Sequence, residues 1–153
     1  MSEMLPKRAA LYTDGGARGN PGPAGIGVVL MDAEGTVVGE IAQGIGYATN
    51  NVAEYQALIA GLKMALDQGF EEIDVFCDSQ LVVSQLKGEW KIKSDGLRDL
   101  AVEARRLLNT FKDAQISHVP REQNAEADAL ANQGMDAAEL DDEEPPDQTT
   151  FFA

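Results

Sequence analysis

Residues 52–77, VAEYQALIAGLKMALDQGFEEIDVFC, change period part-way along, and that change decides the architecture. Up to Gln68 the apolar residues Val52, Tyr55, Leu58, Ile59, Leu62, Ala65 and Leu66 recur at steps of three and four, which places them on one stripe of a helix. Gly69 follows as the residue that closes it. Glu72-Ile-Asp-Val-Phe-Cys77 then reads as a strand. A helix leading into a strand is the crossover that parallel pairing requires. Before it, residues 8–14 read as a short strand, Ile26–Met31 as a second and Thr36–Gly46 as a third, with Asp32–Gly35 a hairpin loop. The run from Gly15 to Pro23 is dense enough in glycine and proline to be expected to break any regular element. After it, Ser79–Leu86 reads as a short helix, Asp95–Phe111 as a longer one and Ala114–Val119 as a final strand. Pro120 then leads into a helix from about Gln123 to Gly134. The order predicts an α/β fold: a five-stranded mixed sheet, three antiparallel strands and then parallel strands four and five, flanked by helices. In such sheets chemistry sits at the carboxyl ends of the strands.

The chain has 153 residues, 44% apolar and 25% charged, which suits one compact domain and disfavours disorder, collagen-like repetition and coiled coil. No window approaches the roughly 18 apolar residues of a membrane span, and the start has no apolar signal-peptide core. Cys77, the one cysteine, has no partner for a disulfide or a metal at ligand spacing, as in a reducing compartment. The expectation is a cytoplasmic, monomeric protein. The net charge of −14 argues at first against a polyanionic partner, but the excess is uneven. From Asp136 onward there are seven acids and no Lys or Arg, so residues 1–135 carry twelve bases against nineteen acids. Lys87, Lys91, Lys93 and Arg98 cluster around the single Trp90, a local basic face in an acidic protein. Residues 1–135 are read as the domain and residues 136–153 as an acidic, disordered tail.

Four carboxylates stand out. Asp14 ends strand one, Glu54 lies in the first turn of the long helix, Asp78 ends strand four and Asp128 lies in the last helix. Each has a structural alternative when taken singly. Asn51 with Glu54 can form a capping box, Asp78 can cap the next helix, Asp14 can begin a turn and Asp128 can be a solvated helix residue. Taken together they are harder to dismiss, because Asp14 and Asp78 at the ends of adjacent strands are like charges that cost energy unless a cation lies between them. Clustered hard oxygen ligands imply Mg²⁺ or Mn²⁺, and a pair of such ions is a device for phosphodiester displacement.

Tyr12-Thr-Asp14-Gly-Gly-Ala-Arg-Gly19-Asn20-Pro21, Thr49-Asn50-Asn51-Val-Ala-Glu54, Asp78-Ser79-Gln80 and His118-Val-Pro-Arg-Glu-Gln-Asn124-Ala-Glu-Ala-Asp128 resemble the successive motifs of type 1 ribonuclease H, in the family's order, from about Leu11 to Asn132. The resemblance implies an endonuclease that cuts the RNA strand of RNA/DNA hybrids with two Mg²⁺ ions, Mn²⁺ substituting, and leaves 5′-phosphate and 3′-hydroxyl ends. It implies that Asp14 bridges the metals, that Glu54 and Asp78 complete the water-activating site and that Asp128 holds the leaving-group ion. His118 would carry a proton as product departs; read as a residue alone, it merely ends the last strand. Asn20, Asn50 and Gln80 would face the hybrid's minor groove and Thr49 a DNA phosphate, although amides near glycine turns are often turn formers.

The sequence departs from the best-known bacterial members between Leu86 and Arg98, where a short connection replaces their basic helical handle. Lys87, Trp90 and Lys91 would supply part of its hybrid contact, and the alternative for Trp90 is a place in the core. Two other functions compete: a related metal-dependent exonuclease, disfavoured because Gly15 and Gly16 follow Asp14, and a silent hybrid-binding module, disfavoured by the presence of all four acids. At the tail's end Gln148, Phe151 and Phe152 resemble the short peptides that bind sliding clamps, which implies a tether to replicating DNA.

Overall fold

The computed structural model describes residues 7–143. Strands β1 (Arg8–Ala17), β2 (Gly22–Met31) and β3 (Val37–Ala48) form an antiparallel meander, followed by α1 (Asn50–Asp67) and β4 (Glu72–Cys77). Helices α2 (Gln80–Leu86) and α3 (Asp95–Thr110), strand β5 (Asp113–His118) and helix α4 (Ala125–Glu143) complete the order. The sheet runs β3-β2-β1-β4-β5, with β1, β4 and β5 mutually parallel, as the helical crossovers require. The apolar stripe of α1 is buried where its spacing placed it: Tyr55, Leu58, Leu62 and Ala65 pack with Leu11, Val28, Leu30, Ile73 and Val75 of the sheet and with Leu107 of α3. Gly69, at a φ of 85°, closes α1 as expected.

Helix α4 lies on the opposite face, and glycines make room for it. A Cβ on Gly27 would stand 2.1 Å from the carbonyl oxygen of Ala127, and one on Gly25 would stand 2.3 Å from the amide nitrogen of Met135. Within the glycine-rich stretch the same holds at Gly15, where a Cβ would stand 2.2 Å from the carbonyl oxygen of Ala53 in α1, so the stretch does not break β1. β1 continues through Gly15 and Gly16 to Ala17 and β2 already starts at Gly22, leaving only residues 18–21 as the connection. Here glycine marks close backbone approach rather than a turn.

The last helix also departs from the reading. Residues Arg121–Gln123 form a single 3-10 turn, and α4 starts at Ala125 and runs to Glu143, so the boundary read at 135/136 falls inside it. Met135 and Ala138 are buried on the sheet, which carries the helix past Gly134. The expectation of a disordered tail therefore fails for residues 136–143. Gln148, Phe151 and Phe152 lie outside the described residues. No helix among the described residues is long and apolar enough to cross a membrane.

Candidate active site

Asp14 sits in β1 opposite Gly27 of β2, so it is a paired strand residue rather than the start of a turn. One place before it, Thr13 pairs with Cys77 of β4, which brings Asp78 alongside. Glu54 reaches the same point from α1, because Gly15 has no side chain: a Cβ there would lie 2.2 Å from the carbonyl oxygen of Ala53. The amide of Gly15 donates to Glu54 Oε1 at 3.0 Å and fixes the carboxylate. Asp14, Glu54 and Asp78 each offer an oxygen, all within 4.8 Å of one another.

The electrostatics follow from that crowding. Burial first, then the charge of Asp78, then contact with Asp128 push the Asp14 carboxyl up to about 8, against a weak opposing pull from Arg121. Asp128, in the first turn of α4, borders Asp14, while the three acids that converge on one point are Asp14, Glu54 and Asp78. Glu54 is raised well above the ordinary carboxylate range, by burial first and then by Asp14 and Asp78, with the Gly15 amide and Arg121 opposing. Asp78 Oδ2 is buried and accepts no hydrogen bond. An orphaned carboxylate oxygen beside two further acids is the donor set that a hard divalent cation satisfies, so the residues fit Mg²⁺ or Mn²⁺. The thiol of Cys77, pushed up to about 12 by burial first, stays protonated and does not join the set.

The local caps differ from the structural alternatives. Thr49 caps α1, its Oγ1 accepting from the Val52 amide at 3.2 Å, and Ser79 caps α2. Neither a capping box on Asn51 nor a cap on Asp78 forms, which leaves Glu54 and Asp78 to the acid cluster. Asn20, Thr49 and Asn50 do come together. Asn20 Oδ1 accepts from the Asn50 amide at 3.0 Å, and Asn50 Oδ1 accepts from the Ala17 amide at 2.7 Å. Both oxygens are thus engaged, and both residues are exposed. Gln80 begins α2 and donates to Ser84 Oγ at 2.8 Å. His118 ends β5 opposite Cys77 and is exposed. Lys87, Trp90 and Lys91 lie on the α2–α3 connection, which has no helix. Trp90 is 48% exposed, a surface residue rather than a core one.

Three supporting residues carried no role in the sequence reading. Arg121 is the cation whose field opposes the acids. Asn124, 1% exposed, donates to the carbonyl of Thr13 at 2.9 Å and ties the start of α4 to β1. Gln85 is buried in α2 and accepts from the Tyr55 hydroxyl at 2.6 Å, which fixes α2 on α1. Asn124 could have been suspected from its place just ahead of a helix, where side-chain amides fasten chain entries. Nothing in the spacing points to Gln85.

This sheet order, with acids gathered from β1, α1, the end of β4 and the start of α4, defines a protein of the ribonuclease H-like fold. Comparison with known proteins agrees. A family model described as reverse transcriptase-like matches residues 12–134. Ribonuclease HI of Halobacterium salinarum is 52% identical over 131 residues, covering 86% of this chain and 66% of the relative. The N-terminal RNase H domain of a Mycobacterium tuberculosis protein superposes with a TM-score of 0.85 at 48% identity, covering 88% of this chain and 98% of that one. LC11-RNase H1, solved in complex with an RNA/DNA hybrid, gives 0.80 at 42% identity, covering 85% and 98%. The chain belongs to the ribonuclease HI family, within the reverse transcriptase-like group. It spans 66% of the Halobacterium relative and 36% of the full mycobacterial protein.

Proposed function

We propose that this protein is an endonuclease that hydrolyses the RNA strand of RNA/DNA hybrids and leaves 5′-phosphate and 3′-hydroxyl ends. The observation that carries the reading is the cluster of Asp14, Glu54 and Asp78 within 4.8 Å, with one buried carboxylate oxygen unpartnered. Asp14, Glu54, Asp78 and Asp128 would hold two divalent cations, Mg²⁺ with Mn²⁺ as a substitute. When bound, these supply the Lewis acid that activates water and stabilises the leaving oxygen. Asp14, buried among the other acids, would serve both ions, and the Gly15 amide holds the Glu54 carboxylate in place. The exposed Asn20 and Asn50, with Gln80, meet the minor groove, where 2′-hydroxyls distinguish RNA from DNA. His118, exposed at the end of β5, moves a proton as the product leaves. Lys87, Lys91 and Trp90 line the backbone path in place of a basic handle. The complex of LC11-RNase H1 with a hybrid supports this substrate class.

The protein is proposed to act in the cytoplasm as a monomer, tethered to a sliding clamp through Gln148, Phe151 and Phe152. A peptide of residues 139–153 titrated against the clamp, with both phenylalanines changed to alanine as control, tests the tether; equal binding by the control ends it. The activity is tested by offering a uniform hybrid, duplex DNA and duplex RNA with and without Mg²⁺. Cleavage confined to the RNA strand of the hybrid, and only with Mg²⁺, is expected. Cleavage of duplex DNA from its ends would replace the reading with an exonuclease, and binding without cleavage would replace it with a silent module.

A further inference from the structure

Arg18 lies in the short β1–β2 connection, two positions before Asn20, and its guanidinium reaches across to α4. Nη1 donates to Asp136 and, at 2.8 Å, to Glu139 Oε1. Nη2 donates to Asn132 Oδ1 at 3.2 Å. Residues 132, 136 and 139 are spaced by four and three, so they form one stripe of the helix. Asn132 in turn donates from Nδ2 to the carbonyl of Asp128 at 2.9 Å. One continuous set of hydrogen bonds thus joins the connection to the helical turn that carries Asp128. On its other side the same connection is tied to the start of α1, through Ala17 to Asn50 and Asn50 to Asn20.

Only Gly19 separates Arg18 from the anchored Asn20, which is exposed. An exposed ion pair adds little to global stability, so three acceptors gathered on one arginine are better explained by geometry than by folding. A planar guanidinium binding several fixed acceptors at once sets orientation as well as distance. We propose that Arg18 is a positioning residue for the hybrid. It clamps the β1–β2 connection to the second half of α4 and so sets the height of the Asn20–Asn50 pair relative to the acids. Asp136 and Glu139 are then working parts of the catalytic domain, not the beginning of a tail. The inference rests on the hybrid-cleaving reading and goes beyond it in assigning a task to the extension of α4.

Steady-state cleavage of a uniform hybrid at saturating Mg²⁺, with thermal unfolding measured beside it, provides the test. Arg18→Ala and the double variant Asp136→Asn/Glu139→Gln should each raise KM about fivefold or more with kcat within about twofold, since a misplaced contact surface costs binding before chemistry. Arg18→Lys should recover part of the loss. Arg18→Glu combined with Glu139→Arg should recover more than Arg18→Glu alone, because the clamp is rebuilt with its charges exchanged. A KM unchanged in Arg18→Ala, with a wild type that cleaves, overturns this inference alone. A KM that falls in the double variant also overturns it, since it would show Arg18 to be a phosphate ligand that the acids mask. A wild type that leaves the hybrid intact overturns the hybrid reading, and this inference with it.

Discussion

Replacing Asp14 with asparagine should stabilise the metal-free protein while destroying its site, and the size of the effect should depend on pH in a defined direction. In the folded, metal-free state the Asp14 carboxyl is pushed from an ordinary 3.8 up to about 8, by burial first and then by Asp78 and Asp128. Between those values the folded state holds a proton that the unfolded chain has released. Stability therefore falls as pH rises across this window, the reverse of what a salt-bridged aspartate shows. Each tenfold step is worth about 1.36 kcal/mol, so the full window sets an upper bound near 6 kcal/mol. With relaxation of the neighbours and entry of water, about 2–4 kcal/mol is expected at pH 8. For a chain of this length that corresponds to roughly 10 °C in Tm. Thermal unfolding in chelator between pH 5 and 8 should show the wild type losing Tm as pH rises and Asp14→Asn losing much less. Saturating Mg²⁺ should narrow the gap at pH 8, because the cation supplies the counter-charge in the wild type only. Parallel Tm–pH curves for the two proteins in chelator would refute the account of the acid cluster as an unneutralised cation site.

His118→Ala should slow turnover by about ten- to a hundredfold without abolishing it, since one proton carrier is lost while the acids remain; loss as complete as in Asp14→Asn would show a different role. Lys87→Ala/Lys91→Ala should weaken hybrid binding and lower the salt slope by about one for each phosphate contact removed, read from anisotropy titrations at several salt concentrations; an unchanged slope would remove these residues from the interface. Gly27→Ala should destabilise the protein by about 3 kcal/mol or more in urea, because its methyl would meet the Ala127 carbonyl at 2.1 Å; a neutral effect would contradict the close approach of α4 to β2.

Much of this molecule is legible in its sequence because its periods are clean. The stripe from Tyr55 to Leu66 and the switch at Gly69 identify the crossover, and with it the parallel pairing that sets Asp78 beside Asp14. Asp14 and Asp78 are legible because like charges at adjacent strand ends need a shared counter-ion, and Glu54 and Asp128 through the motifs they share with the family. Local signals fail where tertiary packing decides. Gly15 and Gly16 have the composition of a loop but sit in a strand, because the backbone of α1 and the Met135 side chain of α4 press close onto them. Asp136 and Glu139 belong by charge to an acidic tail, yet Arg18, more than a hundred residues earlier, holds them on the helix. Gln85 acts through a hydroxyl on another helix, a pairing that no spacing along the chain encodes.

The most direct test of the central claim is single-turnover cleavage of an RNA/DNA hybrid at saturating Mg²⁺ by the wild type and by Asp14→Asn, Glu54→Gln and Asp78→Asn, each first shown to be folded by circular dichroism. The account predicts Mg²⁺-dependent cutting of the RNA strand by the wild type and loss of most of that rate in all three variants, since each removes a charged ligand without emptying the core. Wild-type rates in any one of the three folded variants would contradict it.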